Sequence, residues 1–209
     1  MKRAKFDEDA RVKLTECVRK IETTTDAELV LIVRGRSGSY RQADYLFGAL
    51  LAFAALLFLL FSPFDFHQYW VAIDVALIFA IGAFISSRSN LLRRLLTTEK
   101  FRATAVRTGA AAMFYEAGIA NTAAEMGLLI YLSVLERQLE VIADRGILKG
   151  VNALEWNQLL FELHEGGRKA DAPTLLAGME SLGALLSKHL PATGENPNEL
   201  PDAPRFELK

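Results

Sequence analysis

The sequence predicts an α/β protein: a three-layer αβα sandwich with a small mixed sheet, interrupted by a two-helix transmembrane hairpin. Residues 45–61 contain no charged side chain, and residues 69–87 contain only Asp74. Each run therefore presents roughly 17 to 20 apolar residues, the length that a bilayer core requires. Around these runs, short segments rich in branched apolar residues alternate with amphipathic helical segments, which is the pattern of a layered α/β domain.

The first soluble segment predicts one helix and one strand. Acidic residues 7–9 stand where a helix dipole favours negative charge, and apolar residues then recur at helical spacing as far as Ile21. Residues 28–33 form a short apolar run rich in branched side chains and are followed by Gly35 and Gly38. Such a run predicts a buried strand.

Charge around the apolar runs predicts a membrane topology. Ser62 and Pro63 break the helical pattern and predict a turn between the runs, and the residues of this turn include no Lys or Arg. Arginines predicted to lie at the membrane surface flank the two runs: Arg34, Arg36, Arg41, Arg88, Arg93 and Arg94. By the positive-inside rule, we expect a multi-pass protein of the bacterial inner membrane with both termini and the soluble domain in the cytoplasm. A buried helical hairpin inside a globular core is the alternative.

The second soluble segment begins with a helix and a strand pair. Residues 101–115 carry an apolar face and precede Gly118, which suits a helix end. Residues 127–135 and 138–143 are two apolar strands joined at Glu136-Arg137. So short a connection predicts an antiparallel hairpin.

Two helices are predicted to close the domain, at residues 151–165 and 171–190, each preceded or begun by a capping residue. Residues 191–209 hold four of the six prolines and show no apolar period, which predicts a flexible C-terminal tail. The sequence therefore predicts four segments: the first part of the domain at 1–43, the hairpin at 44–88, the second part at 89–190 and the tail at 191–209.

Composition excludes several classes of function. A net charge of −1 and a pI near 6.3 give no electrostatic drive toward nucleic acid. Cys17 is the single cysteine, which excludes an intrachain disulfide and a cysteine-rich zinc site. The three histidines lack metal-ligand spacing, and no catalytic set or cofactor motif is present.

Four acidic residues are expected to meet at one edge of the sheet. If the first and second strands are parallel and the second and third form a hairpin, the starts of the first two strands and the end of the third share an edge. The acids placed there are Asp26, Glu28, Glu125 and Asp144. Several carboxylates on adjacent loops suit a hard cation such as Ca²⁺ or Mg²⁺, and with a metal they can assist phosphate-ester hydrolysis. Solvation, or pairing with Arg145 or Lys149, is the alternative for each acid.

Several motifs resemble bacterial membrane proteins of the TPM domain family. They are Asp26-Ala27-Glu28-Leu29-Val30, the strand pair from Gly127 to Val141, Ala143-Asp144-Arg145-Gly146-Ile147 and Asn198-Glu199-Leu200-Pro201-Asp202. The resemblance implies an αβα domain whose relatives act in photosystem II repair, in acetylcholine-receptor association, and in an acid phosphatase activity with divalent cations. Where cation-binding relatives carry Asp or Asn before the glycine of the second strand, this chain has Glu125-Met126-Gly127.

The expected function is accordingly that of a non-enzymatic inner-membrane protein. Its cytoplasmic TPM-like domain would bind a membrane or cytoplasmic protein in membrane-protein maintenance or assembly. The alternative is a divalent-cation-dependent acid phosphatase that uses the acidic edge of the sheet.

Overall fold

The computed structural model describes residues 6–64, 67–194, 199–200 and 203–208. The helices are α1 (Glu8–Thr24), α2 (Arg41–Phe61), α3 (Gln68–Arg88), α4 (Asn90–Leu95), α5 (Glu99–Glu116), α6 (Arg145–Gly150), α7 (Ala153–Gly167) and α8 (Ala172–His189). The strands are β1 (Glu28–Arg34), β2 (Gly127–Ser133), β3 (Gln138–Ala143) and β4 (Arg205–Glu207). The chain divides into two compact units: an α/β unit of Met1–Ser37 with Ala103–Lys209, and a hairpin unit of Gly38–Arg102.

The α/β unit is built on a four-stranded mixed sheet with the strand order β3-β2-β1-β4. β1 runs parallel to β2, with Glu28 opposite Gly127, and β4 runs parallel to β1. β2 and β3 form an antiparallel hairpin in which Leu128 lies opposite Ala143. These contacts confirm the predicted α/β class, the small mixed sheet and the strand pair.

Both faces of β1 are buried, which explains its unbroken apolar sequence. Leu29, Leu31 and Val33 belong to a core cluster that includes residues of α1, α7 and α8. Val30 and Ile32 point to the other face, in a cluster with residues of α5. Alternate side chains along one strand therefore fill two different cores.

The prediction of a flexible tail from residue 191 onward is wrong for the described part of that segment. β4 pairs with β1, and Leu200 is buried against the α5 side of the sheet. Phe206 and Leu208 pack on the opposite core, two residues apart, as alternation along a strand requires. A three-residue strand among prolines is too short to show a period in the sequence. Of the motif at residues 198–202, Asn198, Pro201 and Asp202 lie outside the described residues.

The hairpin unit contains two helices, α2 and α3, that are long and apolar enough to cross a membrane. They meet at two glycines. A Cβ added to Gly48 would lie 2.6 Å from the carbonyl oxygen of Phe79, and one added to Gly82 would lie 3.0 Å from the Cα of Gly48. Small residues at a helix contact allow this close backbone approach, which is typical of helices packed in lipid.

Candidate functional site

The amino-terminal edge of the sheet gathers the four acids that the sequence predicts there. β1 and β2 begin at this edge and β3 ends at it, because β1 is parallel to β2 and β3 is antiparallel. Asp26 lies two residues before Glu28, the first residue of β1, and Glu125 lies two residues before Gly127, the first residue of β2. Asp144 directly follows β3. The strand directions behind the prediction are therefore confirmed.

Two of these acids hold the C-terminal segment. The carboxylate of Asp26 accepts hydrogen bonds of 2.9 Å from both the N–H and the hydroxyl of Thr193. Glu28 is buried, and its Oε2 accepts from the N–H groups of Glu199 at 3.1 Å and Leu200 at 2.8 Å. Both carboxylates thus bind protein donors 167 to 172 residues further along the chain.

The other two acids shape local backbone. Asp144 is the N-cap of α6, and its Oδ1 accepts from the N–H of Arg145 at 2.7 Å. Glu125 has a left-handed backbone with φ of 53°, and its carbonyl accepts from the N–H of Gly146 at 2.9 Å. Within the described ranges, no three His, Cys, Asp or Glu side chains are arranged to hold a metal ion. The Ca²⁺ or Mg²⁺ site and the phosphatase that depends on it stay predictions with no further support from this edge.

A buried hydrogen-bond network lies at the opposite edge, where β1 and β2 end. The hydroxyls of Tyr131 and Ser37 are 2.8 Å apart, and Ser37 Oγ donates to Ser133 Oγ at 2.8 Å. Ser133 Oγ in turn donates to Glu136 Oε2, and the N–H of Ser37 donates to Glu136 Oε1 at 2.8 Å. Because the Ser37 hydroxyl gives its proton to Ser133, it accepts from Tyr131. The carboxylate of Glu136 is the final acceptor of this relay.

The relay is closely packed. Tyr131, Ser133 and Glu136 are buried, and Ser37 is half-buried. A Cβ added to Gly109 of α5 would lie 3.0 Å from the Tyr131 hydroxyl oxygen, so a larger residue there would press on the relay. A hydrogen bond that Arg34 donates to the hydroxyl oxygen of Tyr131 raises the pKa of Arg34, which keeps that side chain charged. The relay connects the loop after β1 to the β2–β3 turn, and we call these four residues, Tyr131, Ser37, Ser133 and Glu136, the structural clamp.

Sequence reasoning missed this clamp. The sequence pattern placed Glu136 in the connection between two strands and gave no role to Ser37. The one local signal is that Tyr131 and Ser133 are polar-tipped residues on the same side of β2, next to an acid in the turn.

The hairpin unit has a buried ion pair at one end of its helices. Arg93 donates from Nε to Asp44 Oδ1 at 3.0 Å and from Nη2 to Oδ2 at 2.7 Å, and Ser86 donates to Oδ1 at 2.9 Å. Asp44 and Arg93 are 6% and 8% exposed. The group links α2, α3 and α4.

The arginines predicted at the membrane surface have different surroundings. Arg93 departs from the prediction, because its charge is neutralised by Asp44 and is not presented at a surface. Arg34 forms an ion pair of 3.0 Å with Glu207. Of the other four, Arg36, Arg41 and Arg88 are exposed, and Arg94 is half-buried.

The α/β unit also carries an exposed apolar face on α7. Leu154 and Phe161 are 79% and 69% exposed, and their spacing of seven residues puts them on one side of the helix. A separate cavity of about 210 Å³, lined by neither Leu154 nor Phe161, opens between α7 and α8, with Leu132 and Leu139 of the sheet among its lining residues. We call Leu154 and Phe161 the α7 face.

Comparison with known proteins identifies a similar fold. No protein-family model matches the chain, and no curated protein matches it. The NMR structure of the BA42 protein from the psychrophilic bacterium Bizionia argentinensis is similar with a TM-score of 0.55, over 96% of this chain and 94% of that chain. The two sequences are 16% identical, so the likeness concerns the fold alone.

Proposed function

We propose that this chain is a non-enzymatic protein of the bacterial inner membrane, with a hairpin unit that spans the bilayer and an α/β unit that binds a protein partner in the cytoplasm. The exposed α7 face is the observation that carries the binding function. The α/β unit is proposed to be a three-layer αβα sandwich of the TPM type, supported by separate cores on the two faces of β1. The proposed role of such binding is membrane-protein maintenance or assembly.

Exposure of the hairpin helices supports a membrane span. Only 17% of the apolar stretch of α2 and 11% of that of α3 is buried within the protein. A core helix of a soluble domain is, in contrast, mostly buried. Large apolar side chains such as Phe58, Phe61 and Phe84 are exposed. A continuous apolar surface of this kind needs lipid or another protein to cover it.

Charge around the hairpin supports an orientation with both termini in the cytoplasm. Arg41 and Arg88 lie at the open end of the hairpin, whereas residues 62–67 contain no Lys or Arg. The Asp44–Arg93 ion pair lies at the same end of the hairpin as these arginines. Because the two opposite charges cancel, the pair is compatible with a position near the headgroups.

Reporter fusions test the orientation. Alkaline phosphatase, which is active only outside the cytoplasm, is fused after Pro63 and after Leu208, and green fluorescent protein is fused at the same two sites. We expect phosphatase activity only at Pro63 and fluorescence only at Leu208. Phosphatase activity at Leu208 would contradict the proposed orientation.

The α7 face supports partner binding because of its chemistry. The cores of protein interfaces are enriched in aromatic residues such as Phe, and an aromatic side chain that stands out from a helix can enter a partner's pocket. The separate cavity between α7 and α8 has room for a side chain from the partner, and its floor is apolar. We expect a partner with an apolar surface that both receives Phe161 and inserts into this cavity.

Site-specific crosslinking tests this binding. A photoreactive amino acid replaces Phe161 in the full-length protein in cells, and Val12 of α1, which is 49% exposed, provides a matched position on another helix. We expect a discrete crosslinked product from position 161 that is absent from position 12 and is lost when Leu154 is replaced by Glu. Equal products from both positions, or a product that survives Leu154→Glu, would contradict binding through the α7 face.

A further inference from the structure

A cavity of about 260 Å³ lies inside the hairpin unit, at the end where α2 begins and α3 ends. One wall comes from residues 39–46, at the beginning of α2, and the other from residues 96–101, where α4 is connected to α5. Pockets that enclose most of a drug-sized molecule measure about 300–1,000 Å³, so this cavity suits one part of a larger molecule.

The two walls of the cavity are fixed by a ring contact and a hydrogen bond. The rings of Tyr40 and Phe101 meet edge to face with their centroids 6.0 Å apart, and Tyr40 is buried. The hydroxyl of Thr97 donates to the carbonyl of Arg93 at 2.6 Å, which fixes the chain between α4 and α5. The cavity is therefore formed before a ligand enters, and this lowers the entropic cost of binding.

The lining combines uncharged hydrogen-bond donors with apolar side chains. Ser39 and Gln42 are exposed, so their hydroxyl and amide groups can donate to a ligand. The Thr98 hydroxyl accepts from the N–H of Phe101 at 3.3 Å and keeps its own proton for donation. Leu46, further along α2, gives the cavity an exposed apolar wall. The ligand that fits these groups has a polar acceptor next to an apolar chain.

The order of the lining groups along α2 matches the order of groups across a bilayer surface. From Tyr40 to Leu46 the helix axis advances about 9 Å at 1.5 Å per residue. The headgroup layer of one leaflet is about 5–8 Å thick. At the same end of the hairpin unit, α4 exposes Leu91 and Leu95 on one side, as a helix in contact with lipid does.

The charge around the cavity favours an anionic ligand. The segments 38–44 and 88–102 contain six basic and two acidic residues. Of the basic residues, Arg41 and Lys100 each stand next to lining residues in the chain. Such an excess of basic residues attracts anionic lipid, whereas a cationic group on a headgroup is repelled.

We propose that this cavity binds the phosphate of an anionic phospholipid. Ser39, Gln42 and Thr98 donate hydrogen bonds to the phosphate, and Leu46 contacts the beginning of an acyl chain. The inference rests on the proposed membrane span of the hairpin unit and adds a specific lipid to it. It does not involve the α7 face, which belongs to the α/β unit.

Native mass spectrometry of the full-length protein in detergent micelles tests this site, because it counts the bound lipids. Phosphatidylglycerol, which is anionic, and phosphatidylcholine, which is zwitterionic, are added with identical acyl chains. We expect one phosphatidylglycerol per chain, bound about fivefold or more tightly than phosphatidylcholine. Glycerol 3-phosphate, the headgroup chemistry without acyl chains, should not displace it, because the contact with Leu46 is missing.

Paired substitutions test whether the lipid lies in this cavity. Ser39→Ala combined with Gln42→Ala removes two donors and should weaken phosphatidylglycerol binding by about tenfold. Ser87→Ala combined with Asn90→Ala is the matched control. It removes a hydroxyl and an amide at the same end of the hairpin, neither of which lines the cavity, and should change binding by less than about twofold.

Three results would overturn the lipid site. They are equal binding of phosphatidylglycerol and phosphatidylcholine, displacement of the lipid by glycerol 3-phosphate, and equal binding of phosphatidylglycerol by the two paired variants. Each of these leaves the membrane span intact. A protein recovered from the soluble fraction of cells without detergent would instead refute the span, and the lipid site with it.

Discussion

Removing the carboxylate of Glu136 should destabilise the α/β unit far more than removing the hydroxyl of Tyr131. Glu136→Ala deletes the acceptor of two hydrogen bonds, from the N–H of Ser37 and the hydroxyl of Ser133. Hydrogen bonds to a charged group contribute about 1.5–3 kcal/mol each, and Ser37 can recover part of the loss from water because it is half-buried. We therefore expect a loss of roughly 3–5 kcal/mol.

Two milder substitutions at the same relay provide controls. Glu136→Gln keeps an oxygen for the N–H of Ser37 but directs an amide donor at Ser133, so the hydroxyl protons must reverse direction, at a cost of about 1–2 kcal/mol. Tyr131→Phe removes one neutral donor at the far end and should cost about 1 kcal/mol. The expected order of stability is Tyr131→Phe, then Glu136→Gln, then Glu136→Ala as the least stable.

The assay uses the fluorescence of Trp156, which is buried in the core of the α/β unit. The chain has two tryptophans, so Trp70→Phe in the hairpin unit leaves Trp156 as the single reporter. For a unit of this size we expect Glu136→Ala to lower Tm by about 10 °C. A Glu136→Ala variant that unfolds within about 1 kcal/mol of the parent, or that is more stable than Glu136→Gln, would refute the idea that the carboxylate anchors the relay.

Three further predictions concern other parts of the chain. Arg93→Met leaves the carboxylate of Asp44 buried without its cation, so the hairpin unit should lose about 3–5 kcal/mol in an SDS titration of the purified protein, and an unchanged midpoint would count against the ion pair. Gly127→Ala places a Cβ 2.6 Å from a backbone carbonyl oxygen and should lower the free energy of unfolding in urea by about 1–3 kcal/mol. The carboxylate of Glu140 lies 3.8 Å from Nε2 of His164 and raises the pKa of that imidazole, so this pairing stabilises the fold at pH below the ordinary histidine pKa and is lost as pH rises through the raised pKa. Glu140→Gln should therefore lower the pKa of His164 in an NMR titration, and an unchanged pKa would show that Glu140 is not the cause.

Elements with a strong local pattern could be predicted from the sequence. β1 is buried on both faces, so its residues form a continuous apolar run that is visible without any partner strand. The connection between β2 and β3, which the structure extends to residues 134–137, is too short for anything but an antiparallel pair, and Arg137 adopts a left-handed backbone with φ of 54°. The apolar helices α2 and α3 are recognisable from length and composition.

Contacts between residues far apart in the chain could not be predicted in this way. Ser37 and Glu136 are 99 residues apart, and Asp44 and Arg93 are 49 apart, so no local period links them. The sequence placed Arg93 at a membrane surface because the positive-inside rule counts charges and does not identify their partners. For the same reason, the acids at the amino-terminal edge were assigned to a cation when Asp26 and Glu28 bind backbone and side-chain donors of the C-terminal segment.

The hairpin unit should be removable without loss of the α/β fold. It is inserted in the connection between the parallel strands β1 and β2, which must in any case be long. Of the residues between 38 and 102 that the structure describes, none belongs to either core cluster of the α/β unit.

The ends of the α/β unit at this insertion lie near each other. A Cβ on Gly109 would lie 3.5 Å from the Cβ of Ser37, and Ala103 stands six residues earlier in α5, about 9 Å away at 1.5 Å per residue. A flexible linker of six Gly and Ser residues spans about 13 Å on average and can join residues 37 and 103. Because loop-closure entropy grows only slowly with length, this shorter connection should change stability little.

We expect the linked variant to be found in the soluble fraction of cell lysates, with the circular dichroism of a folded α/β protein. Its unfolding by Trp156 fluorescence should stay cooperative and within about 1 kcal/mol of the full-length protein in detergent. The relay gives a stringent control, because Glu136→Ala should destabilise the linked variant and the full-length protein by the same amount if the clamp belongs to the α/β unit alone. A linked variant that remains with the membrane fraction would show that residues outside the hairpin unit bind the bilayer, and one that unfolds without cooperativity would show that the hairpin unit completes the core.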